Sequence, residues 1–354
     1  MLILGIETSC DETAAAVVEA GLHGARPWRL RSSVIASQVA IHREWGGVVP
    51  ELASRQHVRD ICGVVEQALV DAGVTWRDLG AVAVTAGPGL VGSLLVGVAF
   101  AKAAAWAHAL PVVAVNHIAG HIESIWLAHE DVPVPAVVLV VSGGHTSLYL
   151  VPAPGTYLLL GRTRDDAAGE AYDKVAKLLG LGYPGGPIID RIAGTGRDDA
   201  VDLPSTRLTS PDRNAPERDG RFDFSFSGVK TAVLRHVRLR QAALGVETLP
   251  EREIADVCAS FQRTVVRTLC ARAFDAAQSH GARAVGVAGG VSANSRLRDE
   301  FSIRGRALGL PVFAPPVALS TDNAAMIAAA GLRRVSRGEF ATDRLNASPA
   351  LVLA

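Results

Sequence analysis

The 354-residue sequence has no excess of either charge: 35 Lys and Arg stand against 35 Asp and Glu, for a pI of about 7.2. That balance excludes nucleic-acid binding through overall charge and leaves only a local basic strip for such a role. Cysteine is scarce. Cys10, Cys62, Cys258 and Cys270 are widely scattered with no C-x-x-C pair, which excludes a small disulfide-dense secreted scaffold and predicts a reducing cytoplasm. No secretory leader opens the chain, because the strand-like run Met1 to Ile6 meets Glu7 and then Asp11 and Glu12. No apolar run is clean enough to span a membrane. Residues 89–107 come nearest, but Lys102, Gly92, Gly97 and a series of alanines predict a buried helix packed closely on a sheet. Neither G-x-x-x-x-G-K-[ST] nor a helix-opening G-x-G-x-x-G is present, so P-loop and Rossmann readings are weak.

At 49% hydrophobic and 20% charged residues the chain buries sizeable cores and is not disordered, and its length suits two lobes. Strands and helices alternate. Strands are predicted at 2–7 and 14–19 around the polar turn 8–13, then a helix over 49–72 and a strand at 81–85 leading into the apolar helix. A strand at 111–115 follows, after which Asn116 caps a helix reaching about residue 129. Pro133 and Pro135 mark a lobe boundary. Beyond them, strands at 136–142 and 145–151 repeat the opening hairpin, as an internal duplication would. Residues 194–223 are polar and aperiodic, which predicts a functional loop. Helices at 228–244 and 252–278, a strand at 284–288, a helix at 295–308, a strand at 311–314 and a last helix from about 322 complete a mixed α/β chain.

Three glycine- or hydroxyl-rich turns follow apolar strands: Thr8–Thr13, Ser142–Thr146 and Gly289–Asn294. Backbone N–H groups in such turns converge on a hollow, and small residues let phosphate oxygens approach; three at strand ends favour a nucleotide site. His117 and His121 project from one helix face and can share a metal, although spacing alone does not separate that from two polar histidines. A zinc peptidase of the H-E-x-x-H type needs Glu directly after the first His; Ile118 stands there, and Glu123 points elsewhere on the helix. Asp11 and Glu12 read as turn acids in isolation, and Asp322 as a contributor to helix capping. Acids from Asp165 to Asp173 read mostly as a solvated helix, and residues 183–187 as a rigid turn. Lys230, Arg235, His236, Arg238 and Arg240, with Arg207, Arg213, Arg218 and Arg221, form a basic strip suited to solvent or to RNA backbone.

Eight segments carry a resemblance: 5–13 (GIETSCDET), 46–55 (GGVVPELASR), 85–90 (TAGPGL), 116–121 (NHIAGH), 141–146 (VSGGHT), 223–228 (DFSFSG), 289–294 (GGVSAN) and 320–323 (STDN). In this order they resemble the bacterial TsaD family, tRNA N6-adenosine threonylcarbamoyltransferases formerly called O-sialoglycoprotein endopeptidases. The resemblance covers nearly the whole chain. Ala20–Arg31 looks like an elongated hairpin tip, and Ser320 stands where many relatives have Cys.

The resemblance implies the two-lobed α/β fold of actin and the sugar kinases, with duplicated mixed sheets flanked by helices. One lobe would span 1–128 with 323–354 packing back onto it, the other 129–322, and a nucleotide would lie between them. It implies one divalent metal on His117, His121 and Asp322, Fe2+ first and Zn2+ as the alternative. Val140, Val141, Ser142, Gly143, Gly144, Asp173, Gly186, Asp190 and Asn294 would bind threonylcarbamoyl-AMP, and Ser9, Asp11 and Glu12 are further catalytic or phosphate-loop candidates. The metal would act as Lewis acid and anchor while the N6 amine of the adenosine just 3′ of the anticodon attacks the carbamoyl carbon and releases AMP. Implied partners are tRNA, a sister protein of the same fold and a small P-loop ATPase, with no membrane. A metal-dependent endopeptidase and a non-catalytic nucleotide-dependent scaffold are the competing readings.

Overall fold

The computed structural model describes residues 1–205, 208 and 220–353. In chain order the elements are β1 (Leu2–Glu7), β2 (Glu12–Glu19), β3 (Arg29–Ser37), the single turn α1 (Val39–His42), α2 (Pro50–Ala72), β4 (Leu79–Gly87), α3 (Val91–Ala107), β5 (Val112–Asn116) and α4 (His117–Ala128). Next come β6 (Ala136–Val141), β7 (Thr146–Ala153), β8 (Thr156–Arg162), α5 (Ala168–Leu178), α6 (Gly185–Ala193), α7 (Ser227–Leu244) and α8 (Glu251–Ser279). The chain closes with β9 (Ala284–Ala288), α9 (Ser295–Leu308), β10 (Val312–Phe313) and α10 (Ala324–Val335).

Two compact units result. The first comprises Met1–Val132, Ala153–Tyr157 and Pro315–Ala354; the second comprises Pro133–Pro152 and Leu158–Ala314. Asp322 therefore falls with the first unit. Each unit is built on a five-stranded sheet, in the orders β3-β2-β1-β4-β5 and β8-β7-β6-β9-β10. β1 runs antiparallel to β2 and parallel to β4, and β6 likewise runs antiparallel to β7 and parallel to β9. The repeated order has a local cause: a tight turn suffices for each antiparallel pair, whereas each parallel pair needs a helical crossover. β6 and β9 are apolar throughout because every residue in them is buried.

α10 is half alanine and glycine and mostly buried, and packs against β1, β2 and β4. Glycines permit the approach. A Cβ on Gly5 of β1 would stand 2.2 Å from the Ala324 carbonyl oxygen, and one on Gly331 of α10 would stand 2.6 Å from Ala83 Cβ. A Cβ on Gly120 of α4 would come 2.9 Å from Ile327. These three positions draw the starts of α4 and α10 together at the end of β1.

Several elements differ from the sequence reading. β3 and β8 are edge strands that the sequence reading does not place: β3 opens on a polar, largely exposed stretch, and β8 has the short apolar run Tyr157 to Leu160 but follows β7 after only two residues. Residues 183–187 do not form a free-standing turn: α6 begins at Gly185, with Pro184 before it. The acidic stretch is helical only from Ala168, and Asp165 instead accepts hydrogen bonds from Phe226 N at 2.8 Å and Ser227 Oγ at 2.8 Å, docking the start of α7. Of the basic loop residues, Arg207, Arg213 and Arg218 lie outside the described residues. No helix is long and apolar enough to cross a membrane among the described residues, and α3 is not the buried helix its composition predicts: one face, with Leu94, Gly97, Val98, Ala101 and Ala105, packs inward while Val91, Leu95 and Trp106 are exposed.

Candidate functional site

The site in the first unit starts at the junction of β5 and α4. Asn116 is the N-cap, its side-chain oxygen accepting from Ile118 N at 2.9 Å and Ala119 N at 3.4 Å. His117 is therefore the first helical residue, and His121 lies one turn on, on the same face. Their rings meet edge to face, with centroids 4.7 Å apart. Asp322 does not cap α10. Asn323 does, accepting from Met326 N at 3.0 Å, and it folds the preceding turn by donating to the Thr321 carbonyl at 2.7 Å. Asp322 Oδ1 then lies 3.2 Å from His121 Nε2 and 3.6 Å from His117 Nε2. One ligand-type atom from each of the three residues falls within 4.8 Å of the others.

Glu7 underlies this group and was not singled out from the sequence. It is fully buried at the end of β1 and accepts from His117 Nδ1 at 3.0 Å, from Thr85 Oγ1 at 2.8 Å and from Ser9 N. Ser9 Oγ lies 3.2 Å from the same imidazole nitrogen. Nδ1 donates to Glu7, so Nε2 faces Asp322 and offers a lone pair once a cation displaces its proton.

The charges are those of a cation site. Burial pushes the His117 imidazole down, but Asp322 and Glu7 override it and raise it to about 9. Burial lowers His121, keeping it neutral. Both ring nitrogens of His121 are buried and make no well-directed hydrogen bond; Nε2 is close to Asp322 but misaligned for one. An orphaned buried acceptor facing a carboxylate is unfavourable alone and well placed for a metal. Burial also raises Asp11, and it pushes Glu12 up to about 7 although Ser37 Oγ donates to it at 2.9 Å; Asp322 adds to both shifts. Two imidazoles and a carboxylate, backed by Glu7, form a nitrogen and oxygen donor set that suits iron or zinc. The residues fit a divalent ion.

Glu123 is fully buried and committed elsewhere, accepting from Tyr157 Oη at 2.7 Å and Arg333 Nε at 3.0 Å. It is unavailable as a base beside the histidines.

The second unit places its candidates differently. Val140 and Val141 end β6, and Ser142-Gly143-Gly144 turns the chain back to β7. Ser142 N donates to the His145 carbonyl at 2.8 Å, and Gly169 N donates to the Ser142 carbonyl at 3.2 Å. A Cβ on Gly169 would strike the Ser142 carbonyl oxygen at 2.5 Å, so α5 holds the turn tightly. Yet a Cβ on Gly143, Gly144, Gly186 or Gly290 would meet nothing within 4 Å. Asp173 accepts from Gly185 N at 2.7 Å and so orients the start of α6. Asp190 accepts from Gln262 Nε2 at 3.0 Å and from Ser295 N at 3.0 Å. Asn294 caps α9 and donates to Gln262 Oε1 at 2.9 Å. Gln262 and Ser295 tie Asp190 to Asn294; Gln262 is marked only by its polarity on the largely buried α8, and Ser295 only by following the Asn294 cap.

Comparison with known proteins agrees with this architecture. A profile of the family described as TsaD, tRNA N6-adenosine threonylcarbamoyltransferase, matches residues 29–329. A protein of that name from Koribacter versatilis is 48% identical over 382 residues, covering 99% of each chain. Another from Anaeromyxobacter dehalogenans is 53% identical over 349 residues, covering 98% of each. Among solved structures, component A of the (R)-2-hydroxyglutaryl-CoA dehydratase of Acidaminococcus fermentans superposes with a TM-score of 0.52 at 14% identity, covering 96% of this chain and 99% of that one. Full-length HypF gives 0.57 at 12% identity, covering 95% of this chain and 55% of that one. These distant likenesses show the fold alone, an α/β fold with two mixed five-stranded sheets flanked by helices.

Proposed function

The chain belongs to the TsaD family of tRNA N6-adenosine threonylcarbamoyltransferases, and from that premise we infer how its residues divide the reaction. It transfers a threonylcarbamoyl group to N6 of an adenosine in tRNA. In our reading the acceptor is the adenosine just 3′ of the anticodon in tRNAs that read codons beginning with A, and the donor is threonylcarbamoyl-AMP. The N6 lone pair attacks the carbamoyl carbon, the bond from that carbon to the phosphate oxygen breaks, AMP leaves with the electron pair, and N6 gives up a proton.

The second unit suits the adenylate. The exposed Gly143 and Gly144 stand at the end of β6 with open space where side chains would be, room in which phosphate oxygens approach the backbone. Val140, Val141, Ser142, Asp173, Gly186, Asp190 and Asn294 complete this binding group. In the first unit His117, His121 and Asp322 would hold the ion, Fe2+ or alternatively Zn2+. When bound it supplies a Lewis acid for the acyl oxygen and an anchor for the threonyl carboxylate. Glu7 holds the His117 ring in the ligating tautomer. The negative turn of Asp11 and Glu12, with Ser9, repels phosphate, so we assign it to the proton leaving the amine; Glu12, at about 7, is suited to accept one.

The observation that carries this reading is the convergence of His117, His121 and Asp322 in a chain about half identical to the named transferases along its full length. An endopeptidase lacks its base, since Ile118 follows His117 and Glu123 is bonded to Tyr157 and Arg333. The sister protein and the ATPase remain part of this reading, with exposed apolar side chains on α2 and α3, among them Val58, Leu95 and Trp106, as surface for the former. A tRNA substrate places the work in the cytoplasm. Mass spectrometry of tRNA nucleosides after depletion of the protein is the test. Loss of threonylcarbamoyladenosine is expected, and an unchanged level would refute the reading.

A further inference from the structure

The neutral total hides an uneven distribution. The second unit holds 23 Lys and Arg against 19 Asp and Glu, a net +4, and the first holds 12 against 16, a net −4. Within the second unit, one face of α8 carries Arg252, Asp256, Arg263 and Arg267, which fall within roughly 60° of one another at helical spacing. The segment ahead of residue 202 lies along this face. Arg197 N donates to Asp256 Oδ1 at 2.7 Å, and Val201 N donates to Ser260 Oγ at 3.1 Å. Arg296, from the first turn of α9, pairs with Asp198. That bond, and behind it the charges of Arg263 and Arg267, hold the Asp198 carboxyl below its ordinary range.

Five arginines thus gather about two aspartates, and among the described residues neither Arg263 nor Arg267 makes an ion pair. Arg252 and Arg267 are exposed, as is two thirds of the Arg197 side chain (67%). The strip on and just ahead of α7 is partly neutralised too, and leaves Arg235 and Arg238 exposed without an ion pair among the described residues. Lys230 is paired with Asp166, Arg240 makes two hydrogen bonds to Glu253, and Arg221 pairs with Asp275.

Position separates the two strips. Gln262, which bonds Asp190 and Asn294, immediately precedes Arg263; Ser295, which donates to Asp190, immediately precedes Arg296. The arginine face and the adenylate-binding group grow from the same stretches of α8 and α9. An acyl acceptor must lie within reach of its donor.

We propose that the arginine face formed by α8, Arg197 and Arg296 is where the phosphate backbone of the tRNA docks. This rests on the placement of the adenylate in the second unit. Arginine forks match phosphate geometry and need no base contact, so the face positions the tRNA without reading its sequence.

The test uses the full chain and an unmodified tRNA transcript, with binding followed by fluorescence anisotropy across a salt series and AMP binding followed by calorimetry. The double variant Arg263→Glu/Arg267→Glu is compared with Arg235→Glu/Arg238→Glu on α7. The α8 variant is expected to bind tRNA at least about tenfold more weakly near 0.1 M salt. Its plot of log affinity against log salt should be shallower by about two, with AMP affinity and Tm unchanged. The α7 variant should stay within about twofold of wild type. Wild-type tRNA affinity in the α8 variant overturns the proposal, as it would if the face served an acidic protein instead. A loss confined to the α7 variant, or a wild-type chain that retains no tRNA, also overturns it. Failure of the wild-type chain to bind AMP would sink the adenylate placement alone, because the arginine comparison is read on tRNA.

Discussion

Both units hold crowded glycines, Gly169 in the second among them, but the glycines that shape the two candidate ligand sites differ in their surroundings. In the first, Gly5, Gly120 and Gly331 are crowded on every side, and each added Cβ would strike a neighbour at 2.9 Å or less. In the second, Gly143, Gly144, Gly186 and Gly290 border empty space. The first set lets α4 and α10 close on β1 until three side chains meet; the second leaves backbone uncovered for a ligand. The chemistry of the first unit thus depends on packing and buried charge, and that of the second on room.

Substitutions that exploit this contrast range from a large loss of stability to a small shift in melting. Gly5→Ala sets a methyl group against the Ala324 carbonyl and the Ala328 amide, and backbone must move. It should lower stability by about 3 kcal/mol in denaturant titration, whereas Gly143→Ala should leave it unchanged. Equal losses at both positions would erase the contrast. Glu7→Gln keeps the shape but replaces the carboxylate that fixes His117. Metal affinity should fall about 10- to 100-fold by competition with a chelator, and an unchanged affinity would show that packing alone orients the ring.

Gly144→Val should weaken AMP binding about tenfold by calorimetry while Tm stays at the wild-type value; a drop in Tm would mean that the turn is packed rather than open. Glu12→Gln has the smallest effect. Burial raises this carboxyl from 4.5 in the unfolded chain to about 7, so ionising it within the fold removes stability as pH climbs through that interval. The variant should match wild type near pH 5 and melt about 2 °C higher near pH 8, for on the order of 1 kcal/mol. A gain at pH 5 instead would contradict the buried, protonated carboxyl.

Local chemistry made much of the fold legible. Asn116 reads as a cap and is one, and the paired hairpins at β1-β2 and β6-β7 announce the duplicated sheets. Two edge strands, β3 and β8, were not legible; β3 opens with Arg29, Arg31, Ser32 and Ser33 on a largely exposed surface, and its first residues read as part of the hairpin tip before it. α6 was hidden by Pro184, Gly185 and Pro187, which read as breakers yet sit at a helix start, where proline is tolerated. Glu7 was legible in principle. An acid closing a strand whose neighbours are all apolar is buried with them, and a buried carboxylate requires donors. That its donors are His117, Ser9 and Thr85 depends on contacts up to 110 residues apart, which no local pattern encodes.

The central claim is that His117, His121 and Asp322 form one three-ligand centre although about 200 residues separate the carboxylate from the histidines. Elemental analysis of purified Asp322→Ala beside His121→Ala, with transfer of the threonylcarbamoyl group to unmodified tRNA measured on the same samples, tests it directly. Both variants should fold, lose their metal and lose transfer together. Asp322→Ala with full metal content and full transfer, beside a His121→Ala protein lacking both, would contradict the three-ligand centre and return the carboxylate to the surface.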